Sequence, residues 1–216
     1  MLIKHDNIFN FYVYEFLDDV NYNSIKLVDI KRYILGEVYQ SIEIDDIINV
    51  FNNIKLVKED DKIPFPQADS FYRVIDFINT LNDSELSIEE ITDLYDFDER
   101  QSRYYSSAAR YLGFAIKEKG KYKLSKYGLK LMQMNHKEKN LKIVEAIIKH
   151  KPFYVAMSMY LANGSFDYEK IANVILEESV NVNSLETAYR RAQSVVSWIR
   201  WIINLTAMYE NNPFDK

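Results

Sequence analysis

Apolar positions recur every three or four residues along most of the chain, the spacing that lines one face of a helix. Over one short stretch they alternate strictly with polar ones, as in a strand. The segment from Ser87 to Met132 carries both patterns in succession. Ser87 is a good N-cap with Glu90 at the capping-box position, so SIEEITDLYD is expected to begin a helix with Ile88, Ile91 and Leu94 turned inward. A turn at Phe97-Asp98 leads to a second helix, ERQSRYYSSAARYLG, ending at Gly113, which can take the left-handed cap. At about 100° per residue, Arg100, Arg103, Ser107 and Arg110 fall on one side of it and Tyr105, Ala108 and Leu112 on the other. FAIKEKG and KYKLS then alternate as two strands around Gly120, which is expected to put Lys117, Lys119, Lys121 and Lys123 on one sheet face and its turn.

Helix, turn, helix and lysine-rich hairpin is the order of a winged helix-turn-helix, expected over residues 67–136 after an opening helix from Asp69 to Leu81. A weaker form of the same order recurs on either side. Over residues 1–66, helices are expected from Asn7 to Val20, from Ser24, and from Ile42 to Asn53, and IKLVKEDDKIPF reads as strand, acidic turn, strand. Over residues 137–216, a helix runs from Asn140 toward Lys149 and another starts at Pro152. Asn163-Gly164 breaks the chain before a helix from Tyr168 to Glu178, capped by Asp167, and a long helix from Ser184 to Leu205. On this last helix Leu185, Ala188, Ala192, Val195, Val196, Ile199, Ile202 and Ile203 share a broad face opposite Arg190, Gln193, Ser194, Ser197 and Arg200. That is the amphipathicity of a recognition helix, while a span of about 30 Å also suits a packing strut or a homodimer contact. Helical phase puts Trp201 on the polar side, where it marks a contact surface unless Phe214 covers it. The fold class expected is mainly α with small β-hairpin wings, as tandem winged helix-turn-helix modules.

Composition supports a chain folded throughout: 216 residues with 48% hydrophobic and 14% aromatic content can bury large cores. With 5 Gly and 4 Pro there is little material for flexible linkers or Gly-rich phosphate loops. The absence of cysteine excludes disulfides, zinc ribbons and thiol catalysis and suits a reducing compartment, so the cytoplasm is expected. The longest apolar-rich run, Val195 to Tyr209, is interrupted by Arg200 and Asn204, and no membrane role is indicated.

Charge sharpens the picture, because the chain as a whole carries a net charge of -5. Between Arg100 and Lys137 the balance reverses, with ten Lys or Arg against Glu118 alone. Concentrated positive charge on an acidic chain is how a duplex-reading surface avoids gripping every polyanion. The competing interpretation is a solvated helix face beside an ordinary charged hairpin. Residues 1–66 hold seven basic and twelve acidic side chains, so this part is expected to face away from nucleic acid and to meet protein.

Catalytic chemistry is sparse. Asp46, Asp60 and Lys62 satisfy the literal spacing of a metal-dependent nuclease, but a hairpin tip and a helix surface are poor places to hold a divalent ion. His5, His136 and His150 are scattered and expected at surface or boundary positions. No catalytic, metal or cofactor site is expected. Tyr104, Tyr105 and Tyr111 read as core or helix-flank residues more economically than as stacking platforms for bases.

DFDERQSRYYSSAARYLG with the hairpin and KYGLKLM after it, and LETAYRRAQSVVSWIRWIINL further on, resemble the DNA-recognition winged-helix region of bacterial type II restriction-modification proteins, from Phe65 to Leu205. The most distinctive pieces are Arg100-Gln101 with Tyr104-Tyr105, and Arg190-Arg191 followed by Trp198 and Trp201. The resemblance implies a sequence-recognition module in which Arg100, Gln101, Arg103 and Arg110 approach DNA and Arg190 and Arg191 form a second contact set. It also implies a nuclease or methyltransferase as a separate partner. Together these readings give a non-enzymatic, sequence-selective double-stranded DNA-binding protein. Arg100, Gln101, Arg103, Ser107 and Arg110 would lie in the major groove, Lys117, Lys119, Lys121 and Lys123 on the backbone, and Arg190, Arg191 and Ser194 at the second set. A protein-assembly module is the alternative, and a complete restriction endonuclease the third.

Overall fold

Capping chemistry decides where most helices begin. In a computed structural model, which describes residues 42–179 and 181–210, Glu43 and Asp46 form a reciprocal capping box that starts α1 (Ile44–Asn53). After α2 (Phe71–Thr80), Ser87 accepts the Glu90 N–H and Glu90 accepts the Ser87 N–H, opening α3 (Ile88–Tyr95). Asp98 caps α4 (Glu99–Tyr111), Ser125 caps α5 (Lys126–Met132) and Asn135 caps α6 (His136–Ile148). Pro152 lies in the first turn of α7 (Lys151–Asn163), Asp167 caps α8 (Tyr168–Glu178), and the long α9 follows (Leu185–Glu210). The described residues are therefore mainly helical, with one antiparallel hairpin among them, β1 (Ala115–Glu118) and β2 (Lys121–Leu124), between α4 and α5. The helices expected from Asn7 and Ser24, and Phe214, lie outside the described residues.

The hairpin turns on Lys119 and Gly120, both at positive φ (49° and 86°), the conformation of a two-residue turn whose twist matches the strands. Such a turn pairs Lys117 with Tyr122, Ile116 with Lys123 and Glu118 with Lys121. Opposed residues share a face, so Lys117 lies with Tyr122 on one face while Lys121 and Lys123 lie with Glu118 on the other. This corrects the expectation of a common lysine face: an even turn pairs odd with even positions, so odd-numbered lysines on opposite strands point opposite ways.

No second hairpin forms among the described residues. In IKLVKEDDKIPF, Val57 instead donates its N–H to the Lys149 carbonyl (3.0 Å) in an isolated parallel bridge to the junction of α6 and α7. Asp60 closes a local turn by accepting the Lys62 N–H (2.8 Å), and Pro64 and Pro66 have no N–H to give a ladder. Leu94, expected inward, is 57% exposed, because α3 packs through Ile88, Ile91 and the half-buried Tyr95.

The core is continuous. It runs from Ile42 and Ile47 through Phe65, Phe71 and Phe77 to Ile143, Phe153, Ile175 and Trp198, across the boundaries expected after residues 66 and 136. The segment between α1 and α2 lies along α9: Trp198 Nε1 donates to the Ala68 carbonyl (2.7 Å) and Ser194 Oγ to Asp69 (2.7 Å). Phe71 packs against both Trp198 and Trp201, with ring centroids 4.7 and 4.5 Å away. Trp201 is thus buried, not a surface contact, since α2 covers the side of α9 that helical phase marked as polar. The broad apolar face of α9, Ala188 through Ile202, is buried within the same chain.

Candidate nucleic-acid interface

Helices α3 and α4 meet through a tight joint. Asp96 ends α3 in the left-handed conformation, the Phe97 N–H returns to the Thr92 carbonyl (3.1 Å), and the hydroxyls of Thr92 and Ser102 hydrogen-bond across the two helices (2.9 Å). Phe97 stacks on Tyr95 and tilts against Tyr105, filling the angle between the helices. With Ser102, Tyr105, Ser106, Ala108, Ala109 and Tyr111 buried on one side of α4, Arg100, Gln101 and Arg103 are left exposed and Ser107 and Arg110 half-buried.

Five of the candidate cations, Arg100, Arg103, Lys117, Lys121 and Lys123, have anionic or aromatic neighbours. Arg103 pairs with Glu99 one turn back, with both side chains more than half exposed (57% and 60%), and this carboxylate raises the Arg103 pKa. Arg100 hydrogen-bonds the Tyr104 hydroxyl and lies over its ring, 5.3 Å from the centroid. On the hairpin, Lys121 lies 3.3 Å from Glu90, and Lys123 lies 2.5 Å from Glu118 and 3.7 Å from Glu85. Lys117 sits 5.1 Å from the Tyr122 ring centroid. The Ser87 N–H, then Lys121, hold the Glu90 carboxyl below its usual range, and Lys123 does the same for Glu118. These pairs are open to solvent, hence weak and screened by salt, and a phosphate can replace the carboxylate in each.

Arg103, Lys117, Lys119 and Lys121 line one open cleft of about 360 Å³, where the hairpin turn approaches the capped start of α3 at Ser87. Glu89 also lines it, its carboxyl held low first by its own backbone N–H and then by the Ser87 hydroxyl. Lys123 is outside this cleft, on the Glu118 face of the hairpin.

The second expected contact set is divided. Ser194 is fully buried and donates to Asp69, so it presents nothing to a ligand. The entry to α2 rests on this part of α9, which is why the serine is covered. Arg190 is exposed, with Nη2 3.5 Å from the Thr187 hydroxyl. Arg191 is half-buried, and its Nε and Nη1 atoms are both enclosed without a hydrogen-bond partner. Burial lowers its pKa, opposed by Tyr104 and Asp69 and reinforced by Arg190 and Arg100. The turn of α9 that carries Arg191 is thus an electrostatic neighbour of the start of α4.

Sequence reading missed a cluster behind α4. Tyr111 donates to Glu59 Oε1 (3.0 Å), His150 Nδ1 lies 3.1 Å from the same oxygen, and the Tyr111 and His150 rings stack at 4.0 Å. The Glu59 and His150 side chains are 5% and 7% exposed, so His150 is a core residue and not a boundary one. No local pattern connects positions 59, 111 and 150; only the packing of three distant segments does. Asp46 is engaged by Lys137 (2.7 Å) and Asp60 by its own turn. Among the described residues no three His, Asp or Glu side chains converge as metal ligands.

Among the described residues these elements define a mainly helical protein with a single hairpin and a gathered group of basic side chains at one cleft. The chain belongs to the family described as Domain of unknown function (DUF7226), which matches residues 73–207. Neither the curated proteins nor the solved structures give a match.

Proposed function

We propose that this chain binds double-stranded DNA with sequence preference, using α2 to α4 and the hairpin as a winged helix-turn-helix. The observation that carries the reading is the convergence of Arg103 with Lys117, Lys119 and Lys121 on one solvent-open cleft of an acidic chain. Helix α4 enters the major groove with Arg100, Gln101 and Arg103 exposed, where guanidinium forks read guanine and the carboxamide reads adenine. The hairpin lysines hold adjacent phosphates, fixing register and salt dependence rather than sequence. The narrower role, a recognition or control component of a restriction-modification or related defence system beside a separate nuclease or methyltransferase, is supported by the sequence resemblance.

A gel-shift titration against a random duplex pool at low salt, followed by selection of the bound fraction, tests this. Arg103→Ala is expected to narrow the gap between preferred and random duplexes by roughly tenfold or more, whereas Lys121→Ala weakens all duplexes alike. Equal losses on both pools for both variants contradict the groove assignment. One observation favours a second reading, a protein-assembly surface: Glu99, Glu90 and Glu118 already pair with the basic side chains, so this face fits an acidic partner too. Absence of any duplex binding at low salt selects that reading, and duplex cutting after addition of Mg²⁺ would replace both with a nuclease.

A further inference from the structure

A second open cleft, of about 460 Å³, lies where the end of α7, the loop into α8 and the distal half of α9 meet, and it shares no residue with the basic cleft at α4. Its walls are largely aromatic. Gly164 ends α7 in the left-handed conformation (φ 65°), and the chain turns so that Phe166 comes back onto Tyr160, their rings stacked with centroids 5.5 Å apart and planes 21° from parallel. A Cβ at Gly164 would meet nothing within 4 Å, so the cleft is open at this end. Tyr168, which begins α8, adds a third ring. From α9 come Arg200 and, one turn on, Asn204, both exposed, and the Arg200 guanidinium lies 5.8 Å from the Phe166 centroid. Arg103, Lys121 and Lys151 each pair with a carboxylate, whereas Arg200 meets a ring and has no hydrogen-bond or ion-pair partner among the described residues. The Asn204 carboxamide is likewise open among them.

These groups complement a ligand that joins a flat ring with a polar edge to an anion. Aromatic faces stack on a base, a carboxamide sets a donor beside an acceptor as a base edge does, and a guanidinium fork matches phosphate oxygens. We propose that this cleft binds one unpaired nucleotide, with its base against Phe166 and Tyr168, Asn204 at the base edge and Arg200 on the phosphate. A paired base offers no free face, so the nucleotide must stand outside a duplex, either as a free mononucleotide or as one residue of an unpaired strand. An acidic peptide bearing a phenyl side chain could supply ring and anion, but it would leave the carboxamide without an edge to read. The site goes beyond the duplex reading and does not rest on it, since the two clefts are built from different residues.

Calorimetric titration of the full chain with AMP, adenosine and ribose 5-phosphate tests the parts separately. AMP is expected to bind roughly tenfold more tightly than either fragment, because only it reaches both the rings and the guanidinium. Phe166→Leu should weaken AMP by about tenfold. Arg200→Gln, at an exposed position, should bring AMP down to the affinity of adenosine while leaving the thermal midpoint in place, a ratio that a purely structural role would not move. A single-stranded deoxyadenylate hexamer separates the two sources. Saturation by AMP with no gain from the hexamer assigns a free mononucleotide, and hexamer binding where AMP fails assigns a nucleotide within a strand; either supports the site when Arg200→Gln weakens it. Failure of both AMP and the hexamer to bind overturns it. So does binding that Arg200→Gln and Phe166→Leu leave unchanged, or equal affinity for the dipeptide aspartyl-phenylalanine. The duplex reading is decided by the α4 and hairpin variants, so either proposal can fail without the other.

Discussion

Glu59, Tyr111 and His150 show what a few buried polar atoms do for this fold. One carboxylate oxygen accepts the Tyr111 hydroxyl and lies within hydrogen-bond reach of His150, tying the segment after α1 to the end of α4 and the start of α7. Removing a buried partner leaves the others unsatisfied, so Glu59→Ala is expected to destabilise by about 2–4 kcal/mol and Tyr111→Phe by about 1 kcal/mol. Urea unfolding midpoints check this, and unchanged midpoints for both variants contradict it. The same residue sets an alkaline limit. Burial, reinforced by Glu59, pushes the Tyr111 phenol well above the ordinary tyrosine value of 10.0, and burial foremost pushes Tyr95 up to about 12. A phenol whose folded pKa exceeds its unfolded one keeps its proton longer in the native state. Its contribution is therefore complete below pH 10 and is lost as pH rises through the folded value. Melting temperature should fall steadily above pH 10, and Tyr111→Phe should flatten that fall. None of this was legible in the sequence, because the three residues of the cluster stand far apart in it.

At the scale of elements, local chemistry was readable and pairing was not. Ser87 and Asp167 mark their helix starts through side chains that reach the backbone three residues on, a signal contained within each segment. The exposed side of α4 followed from periodicity in the same way, as did the hairpin turn at Gly120. What failed depended on partners. The lysine face was misassigned because strand register, not alternation within one strand, decides which side chains share a face. The expected hairpin after α1 failed because Val57 bridges to His150 instead, its N–H donated to the Lys149 carbonyl. Gly128 shows a further constraint invisible to periodicity. A Cβ at this position in α5 would stand 2.1 Å from the Phe114 carbonyl oxygen, so the close approach of α5 to the hairpin requires glycine. Gly128→Ala is expected to destabilise by about 1–3 kcal/mol, although alanine normally favours a helix. A thermal midpoint equal to or above that of wild type would show that the backbone yields instead.

Across the whole molecule, α9 organises what the sequence divided into modules. Its apolar face lies against α7 and α8, its Trp198 and Trp201 enclose Phe71 of α2, and its Arg191 lies in the electrostatic range of α4. The candidate interface is therefore braced by one continuous core rather than by a module of its own, which suits a surface that must keep several cations in fixed relation. On the proposed duplex reading, net negative charge elsewhere would limit indiscriminate binding, and the exposed carboxylates paired with Arg103 and Lys121 would exchange for phosphate. The candidate basic residues were legible in sequence as a local reversal of charge. Their division between the cleft, the far face of the hairpin and the buried Ser194 was not, because it follows from register and from how α2 packs on α9.

Amide hydrogen exchange of the full chain, with and without a duplex selected at low salt, tests the central claim most directly. Protection concentrated in residues 99–124 is the predicted result. Exchange unchanged over α4 and the hairpin, with protection confined to α7 and α8, would contradict it.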